Sequence, residues 1–320
     1  MIFKNALHTI LRKFLFDKPR FDENKTFFAE QRLIEHSKKI SETANDFSLT
    51  TWESFITQIS ERVLSEPIEN LLTWPEIKGS MFVSNAKYVR KELKSLRSKD
   101  NWNSLKSVCA EIDVGSPRVF GFYPRASGNL IHHAYLASLL EDLLSIKIKG
   151  LDFVFEFGGG YGNMAKVFHK MGFLGTYHIF DFEIFSLIQT WYLTKCGLNI
   201  NGADSINDNK APNIQCLNSP NEVINNPSNS DWPESLFIGT WSFSETPINY
   251  RKLFEGPISN FHYVFITFQN NIEDIDNVEY FNTLSKSLTT HTVNIEPLPY
   301  QKNNFVFTAR KKIDTLANAK

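Results

Sequence analysis

The chain has 320 residues, 42 % of them hydrophobic and 22 % charged, with a formal net charge of −1. That is an ordinary globular balance, long enough for one large domain or two modest ones, and it argues against a general nucleic-acid binder, which needs an excess of Lys and Arg to neutralise phosphates. Cys109, Cys196 and Cys216 are far apart and form no C-x-x-C pair, which speaks against a zinc or redox motif and fits a reducing, cytoplasmic setting.

No apolar run reaches the roughly 18 to 20 residues that span a bilayer. Residues 1–18 mix basic and apolar side chains without the apolar core and cleavage site of a signal peptide. They read as an amphipathic helix, packed on the domain or a partner subunit, or resting peripherally on the inner face of a membrane. Up to about residue 148 the chain is mostly helical in pattern, with apolar residues at three- and four-residue spacing over Phe27–Ser41, Trp52–Leu64, Ala86–Ser98 and Trp102–Glu111. Breaks fall at Pro67, Trp74-Pro75, Gly79 and Gly115-Ser116-Pro117. Phe120–Arg125 reads as a loop, and Ser127 as the cap of a helix that runs from Gly128 through His132 and His133 to about Ser145.

From Leu151 the pattern changes to alternating strands and helices. Strands are expected at Leu151–Phe155, Thr176–Phe180, Asn213–Leu217, Leu236–Ser242 and Tyr263–Phe268, with helices at about Tyr161–Met171, Ile184–Cys196, Ile248–Phe254 and Asn277–Leu288. Asn201–Pro212 and Asn218–Glu234 read as polar loops. Two closing strands, His291–Ile295 and Asn304–Arg310, are joined by a loop too short for a parallel return. The expectation is an α/β fold: a Rossmann-like, class I methyltransferase sheet, mostly parallel with a terminal antiparallel hairpin, preceded by an N-terminal helical region. The division is 1–148 for a helical cap or substrate region and 149–320 for the cofactor-binding domain.

The organising motif is Glu156-Phe157-Gly158-Gly159-Gly160-Tyr161-Gly162, between an apolar strand and a helix. Glycines at 158, 160 and 162 let the backbone approach a ligand and adopt positive φ. Asn163 stands where the G-x-G-x-x-G fingerprint of NAD sites needs its last glycine. Glu156 would repel a diphosphate but suits S-adenosyl-L-methionine, which carries a sulfonium and an ammonium and no phosphate. Asp181, closing the second strand, can accept the ribose hydroxyls. The candidate cofactor set is therefore Glu156, Gly158, Gly159, Gly160, Gly162 and Asp181.

Leu236–Pro247 brings Trp241, Ser244 and Glu245 to the sheet's C-terminal edge, where open α/β sheets bind ligands. Transfer to a hydroxyl calls for a general base. Glu245 and His133 are the candidate catalytic residues, and Arg125, His132 and Ser244 the candidate substrate-binding ones. His132 and His133 point about 100° apart on a helix, so one of the two is expected to face the site. No dense Asp/His/Glu constellation demands a metal.

Three segments, Phe155–Phe168, Asp181 with Leu187–Leu193, and Trp241–Pro247, resemble the sugar O-methyltransferases of bacterial surface-polysaccharide gene clusters. The resemblance covers about residues 120–310. Where that family usually has D-L-P after strand two, this chain has Asp181-Phe182-Glu183. The resemblance implies S-adenosylmethionine-dependent methylation of a sugar hydroxyl, on a free, nucleotide-linked or lipid-linked acceptor, in the cytoplasm; a homo-oligomer stays open. A non-sugar O- or N-methyltransferase, a non-catalytic association domain and an NAD enzyme are the competing readings, the last disfavoured by Asn163 and the closing hairpin.

Overall fold

The computed structural model describes residues 2–19, 21–43, 51–200, 214–221 and 234–312. Stretch 201–212 and most of 218–234, read above as polar loops, lie outside the described residues. The N-terminal half contains helices α1 (Ile2–Leu15), α2 (Glu23–Thr43), α3 (Thr51–Ser65), α4 (Pro75–Ser80), α5 (Lys87–Arg97) and α6 (Trp102–Val108), then a small hairpin of β1 (Val119–Phe120) and β2 (Tyr123–Ser127) and helix α7 (Gly128–Leu144). After it come β3 (Phe153–Phe157), α8 (Asn163–Lys170), β4 (Thr176–Phe180), α9 (Glu183–Lys195), β5 (Ile214–Leu217), β6 (Ser235–Thr240), β7 (Tyr263–Gln269), the short pair β8 (Asn271–Ile272) and β9 (Ile275–Asp276), and finally β10 (His291–Pro297) and β11 (Asn304–Lys311). Further helices span Ser242–Glu245, Ile248–Ile258 and Asn277–Ser287.

The main sheet has seven strands in the order β10-β11-β7-β6-β3-β4-β5. The five strands from β7 to β5 run parallel, while β11 is antiparallel to both β7 and β10. The last strand thus inserts between β7 and β10. This is a Rossmann-like sheet, mostly parallel and closed by an antiparallel hairpin, with its switch point between β3 and β6.

The period of two along the strands explains the core. Phe153, Phe155 and Phe157 of β3, Phe180 of β4, Phe237 of β6 and Phe268 of β7 all point to one face, into a phenylalanine-rich cluster under the helices Ile248–Ile258 and Asn277–Ser287. Val154, Tyr177, Ile179, Leu236, Ile238 and Phe265 point to the other face, into a cluster that also takes in Leu33, Trp74, Leu93, Leu136, Met164 and Ile188. One apolar core is thus shared by the N-terminal helices, α7, α8, α9 and the sheet. At about 1.5–3 kcal/mol per buried large apolar side chain, that shared layer is what fixes α5 and α7 over the sheet. On β3, Glu156 shares the face of Val154, so its carboxylate is turned toward α7 and not toward the phenylalanines.

Local differences from the sequence reading have physical causes. Phe120–Arg125 is not a loop: Val119 and Phe120 pair with Ser127 and Tyr123 in a hairpin, and Pro124 is tolerated there because the ribbon has only two strands. Pro75 starts a helix at its first position instead of ending one. The helix from Ile248 passes through Gly256 to Ile258. β6 ends at Thr240 and not at Ser242, because Trp241 takes a left-handed φ of 64° and the chain then coils into the single turn Ser242–Glu245.

Candidate functional site

At the C-terminal edge of β3, β4 and β6 lies a cavity of about 1100 Å³. Its floor is the glycine loop. Gly158, Gly160 and Gly162 have φ of 71°, 55° and 93°, conformations open to glycine at little cost. A Cβ on Gly158 would sit 2.3 Å from Ser242 Cβ, and one on Gly159 2.3 Å from Ile179 Cγ2. The loop is therefore pressed against β4 on one side and the turn after β6 on the other. Ser242 Oγ donates to the Phe157 carbonyl, which ties that turn to the end of β3.

The two acids of the cofactor set flank this loop. Glu156 is 2 % exposed, accepts a hydrogen bond from the Tyr177 hydroxyl at 2.9 Å and lines the cavity. Burial pushes its carboxyl up to about 8, with Asp181 adding to the rise and the Tyr177 bond opposing it. Asp181 is half-buried. Its Oδ2 accepts from the Gly160 amide at 3.0 Å and from Gln189 Nε2 at 3.1 Å, and its Oδ1 from the Phe182 amide at 2.9 Å. Burial raises it to about 7 against those hydrogen bonds. Gln189 also donates to the Gly160 carbonyl at 2.9 Å, so Asp181 and Gln189 together hold the loop's shape. Two carboxyls kept partly neutral beside a glycine-lined cradle suit a cationic nucleoside: a positive charge placed there would ionise them.

Opposite the glycine loop stands a wall from the N-terminal half, the segment Met81–Ala86. Asn129, in the first turn of α7, anchors it: its Oδ1 accepts from the Val83 amide at 3.0 Å, while its Nδ2 donates to the Tyr161 hydroxyl at 2.6 Å. Gly128 is required at this contact, since a Cβ would stand 1.8 Å from the Ser84 carbonyl oxygen. Ser127 caps α7 by accepting from the Leu130 amide at 3.1 Å, as its position in the sequence predicts. Ser127 Oγ also donates to Glu111 at 2.5 Å, and Glu111 in turn accepts from buried Lys166 at 2.8 Å.

Both histidines line the cavity, although their angular separation predicts only one. His132 is 2 % exposed and shares its Nδ1 hydrogen with Glu92 at 2.9 and 3.1 Å. His133 Nδ1 accepts from Asn163 Nδ2 at 2.9 Å, and burial first, then His132 and Lys166, hold it well below the usual histidine range. Glu245 lines the cavity, and burial raises its carboxyl. Trp241 also lines it, with Nε1 donating to Asn304 at 2.7 Å and its ring against His132.

Two expected substrate residues are elsewhere. Ser244 is fully buried and outside the cavity lining: its Oγ donates to the Trp241 carbonyl at 2.6 Å and meets Gln269 Oε1 at 2.9 Å, because the strand stops early and the turn rotates it inward. Ser242 takes the cavity position instead. Arg125 is exposed on β2 and also outside the lining, its backbone carbonyl paired with the Glu111 amide. Sequence reasoning passed over Glu92, Tyr88 and the wall at 81–86. The signal for Glu92 was present: on α5 it sits with Val89, Leu93 and Leu96 on the buried face, a lone acid on an apolar stripe.

No protein-family model matches the chain, and no curated protein matches it significantly in sequence. Among solved structures it is similar to the methyltransferase domain of bacterial CtHen1-C, at 12 % identity over 57 % of this chain and 99 % of that one, with a TM-score of 0.42. It is also similar to a SAM-dependent methyltransferase from Aquifex aeolicus, at 16 % identity over 56 % and 98 % of the two chains and a TM-score of 0.38. A precorrin-6y C5,15-methyltransferase from Geobacter metallireducens follows, at 8 % identity over 55 % and 87 % and a TM-score of 0.36. The likeness extends to the fold and no further.

Proposed function

We propose that this chain is an S-adenosylmethionine-dependent O-methyltransferase acting on a hydroxyl of a sugar. The observation that carries the reading is the continuity of one cavity from the glycine loop and Asp181 to Trp241, Tyr88, Tyr250, Glu245, Asn249 and Gln301. Gly158, Gly159, Gly160 and Gly162 give the cofactor backbone to lie against, Asp181 offers acceptors for ribose hydroxyls, and Glu156 offers a buried carboxyl to a cationic group. When bound, S-adenosylmethionine supplies an electrophilic methyl group on a sulfonium.

The other end of the cavity favours a sugar acceptor. Aromatic faces such as Trp241 and Tyr250 pack on the apolar face of a pyranose ring, and side-chain amides and a carboxylate answer its hydroxyls. Among the described residues, the Glu245 carboxylate has no hydrogen-bond partner of its own, which leaves it free for those hydroxyls. Among the described residues no helix is long and apolar enough to cross a membrane. The acceptor sugar is free, nucleotide-linked or lipid-linked, of surface-glycan assembly.

The test is transfer of a labelled methyl group from S-adenosylmethionine into nucleotide sugars, lipid-linked oligosaccharides and finished polysaccharide, tried in parallel. Label in one sugar class and in none of a set of RNA, protein and small phenolic or amine acceptors is the expected result. Label in a non-sugar acceptor alone would overturn the reading.

A further inference from the structure

Helix α5 turns Lys87, Arg90, Lys91, Lys94 and Arg97 outward, all exposed, and its acid, Glu92, inward at 0 % exposure. A carboxylate buried this deeply costs several kcal/mol unless it is hydrogen-bonded or paired. Its partner is His132 of α7, 40 positions further along the chain, with Nδ1 at 2.9 Å from Oε1 and 3.1 Å from Oε2. The Tyr88 ring meets the imidazole edge-on at 5.5 Å between centroids, and the Trp241 ring lies at 5.4 Å and 36°. The imidazole is thus held by three side chains and free on one edge.

That arrangement fixes the tautomer. A carboxylate only accepts, so Nδ1 carries the hydrogen and the neutral ring keeps its lone pair on Nε2. His132 lines the cavity, and among the described residues Nε2 makes no hydrogen bond. His133 is the opposite case. Its Nδ1 meets the Asn163 amide nitrogen, a donor, so its neutral ring carries the hydrogen on Nε2 and offers a donor there in place of a lone pair. Two adjacent histidines therefore present one acceptor and one donor to the same cavity.

Resting on the methyl-transfer reading above, we infer that Glu92 and His132 form the general-base pair of this site, with His132 Nε2 taking the acceptor hydroxyl's proton and Glu92 positioning the ring. As the acceptor oxygen forms its bond to the methyl carbon, the carbon–sulfur bond breaks with its electron pair left on sulfur, and the O–H proton passes to Nε2. The Glu92 carboxylate then faces an imidazolium, a charge pair assembled only as the proton moves. This places the base on His132, in exchange with His133, which the sequence suggested.

The experiment is 15N NMR of the imidazole rings in the full chain at pH 8, with S-adenosylhomocysteine added and His132 assigned from the spectrum of His132→Gln. The expected result is a neutral His132 with its hydrogen on Nδ1. Glu92→Met, which keeps the volume and removes the acceptor, should give a mixture of tautomers with Tm unchanged or raised. An Nε2–H tautomer or an imidazolium in the unaltered protein would overturn the inference, as would the same tautomer ratio in Glu92→Met. With a labelled acceptor in hand, turnover should fall at least about 100-fold in His132→Gln and at least about tenfold in Glu92→Met, with cofactor affinity within about twofold. Unchanged turnover in His132→Gln would equally overturn it. Failure of the methyl-transfer reading itself would show separately, as no binding of S-adenosylhomocysteine to the unaltered protein.

Discussion

The two ends of the cavity are built in different ways. The end proposed for the cofactor is nearly contiguous: one strand end, one loop and one helix start supply Glu156 to Asn163, with Asp181 and Gln189 reaching the loop from further along. The end proposed for the acceptor is assembled from α5, the start of α7, the turn after β6 and Gln301, segments that a common apolar core brings together by stacking the N-terminal helices on the sheet. A site made by local backbone geometry tolerates little change in any one residue. A site made by packing can exchange side chains one at a time, which is where specificity can vary.

The largest effect expected from breaking this contrast is at the loop. Gly159→Val would drive a branched side chain into Ile179 Cγ2, which an added Cβ alone would approach to 2.3 Å. Affinity for S-adenosylhomocysteine should fall by more than about 100-fold, read by calorimetry, because the backbone itself must move. Next is the tie between the N-terminal half and the sheet domain, where Lys166 of α8 reaches Glu111 at 2.8 Å and Tyr192 at 2.6 Å. Lys166→Met strands a buried carboxylate and should cost about 3–5 kcal/mol in chemical denaturation. Loss of only a few tenths of a kcal/mol would mean that the two halves of the chain are not tied there.

A smaller effect belongs to the acceptor end. Glu245→Gln should lower turnover about tenfold on the sugar acceptor with cofactor affinity unchanged, the pattern of a residue that touches only one substrate. The reverse pattern would put Glu245 at the wrong end of the cavity.

The cofactor end should also carry a pH signature. The Glu156 carboxyl sits at about 8 in the folded protein and near 4.5 when exposed, so the folded state keeps a proton that the unfolded state has lost. Its contribution to stability is full below about pH 4.5 and declines as pH rises to about 8. A bound cation favours the ionised form, so affinity for S-adenosylmethionine should rise between pH 6 and 8 by up to about tenfold per pH unit. Glu156→Gln should flatten the part of that slope due to Glu156 and raise stability at pH 8. An identical slope in the variant would exclude Glu156 as its source. The smallest effect is expected at Arg125→Ala, exposed and outside the cavity, which should leave cofactor affinity and turnover within about twofold.

The same contrast decides what could be read in advance. The mostly parallel sheet and its antiparallel ending follow from alternating patterns and from two closing strands too near in sequence to be parallel; the insertion of β11 between β7 and β10 does not. The glycine spacing and Asp181 were legible because one stretch of backbone makes the loop and one strand end supplies the acid. Ser244 was misplaced because nothing in Trp241-Ser242-Phe243-Ser244-Glu245 announces the left-handed Trp241 that ends β6 and rotates the next turn. Glu92 was overlooked because its meaning depends on His132, a partner on another helix. An acid on a strongly basic helix reads as surface until its position on the buried face is counted. Arg125 was drawn into the site by its nearness in sequence to α7, although β2 turns it to solvent.

The central claim is that the loop at 158–162 holds a cationic nucleoside and not a dinucleotide. Calorimetric titration of the full chain with S-adenosylmethionine, S-adenosylhomocysteine and NAD tests it most directly, with Gly159→Val as the control. The account predicts saturable binding of the first two, no heat from NAD, and loss of all binding in the variant. Binding of NAD alone, or unchanged binding of S-adenosylhomocysteine by Gly159→Val, would contradict it.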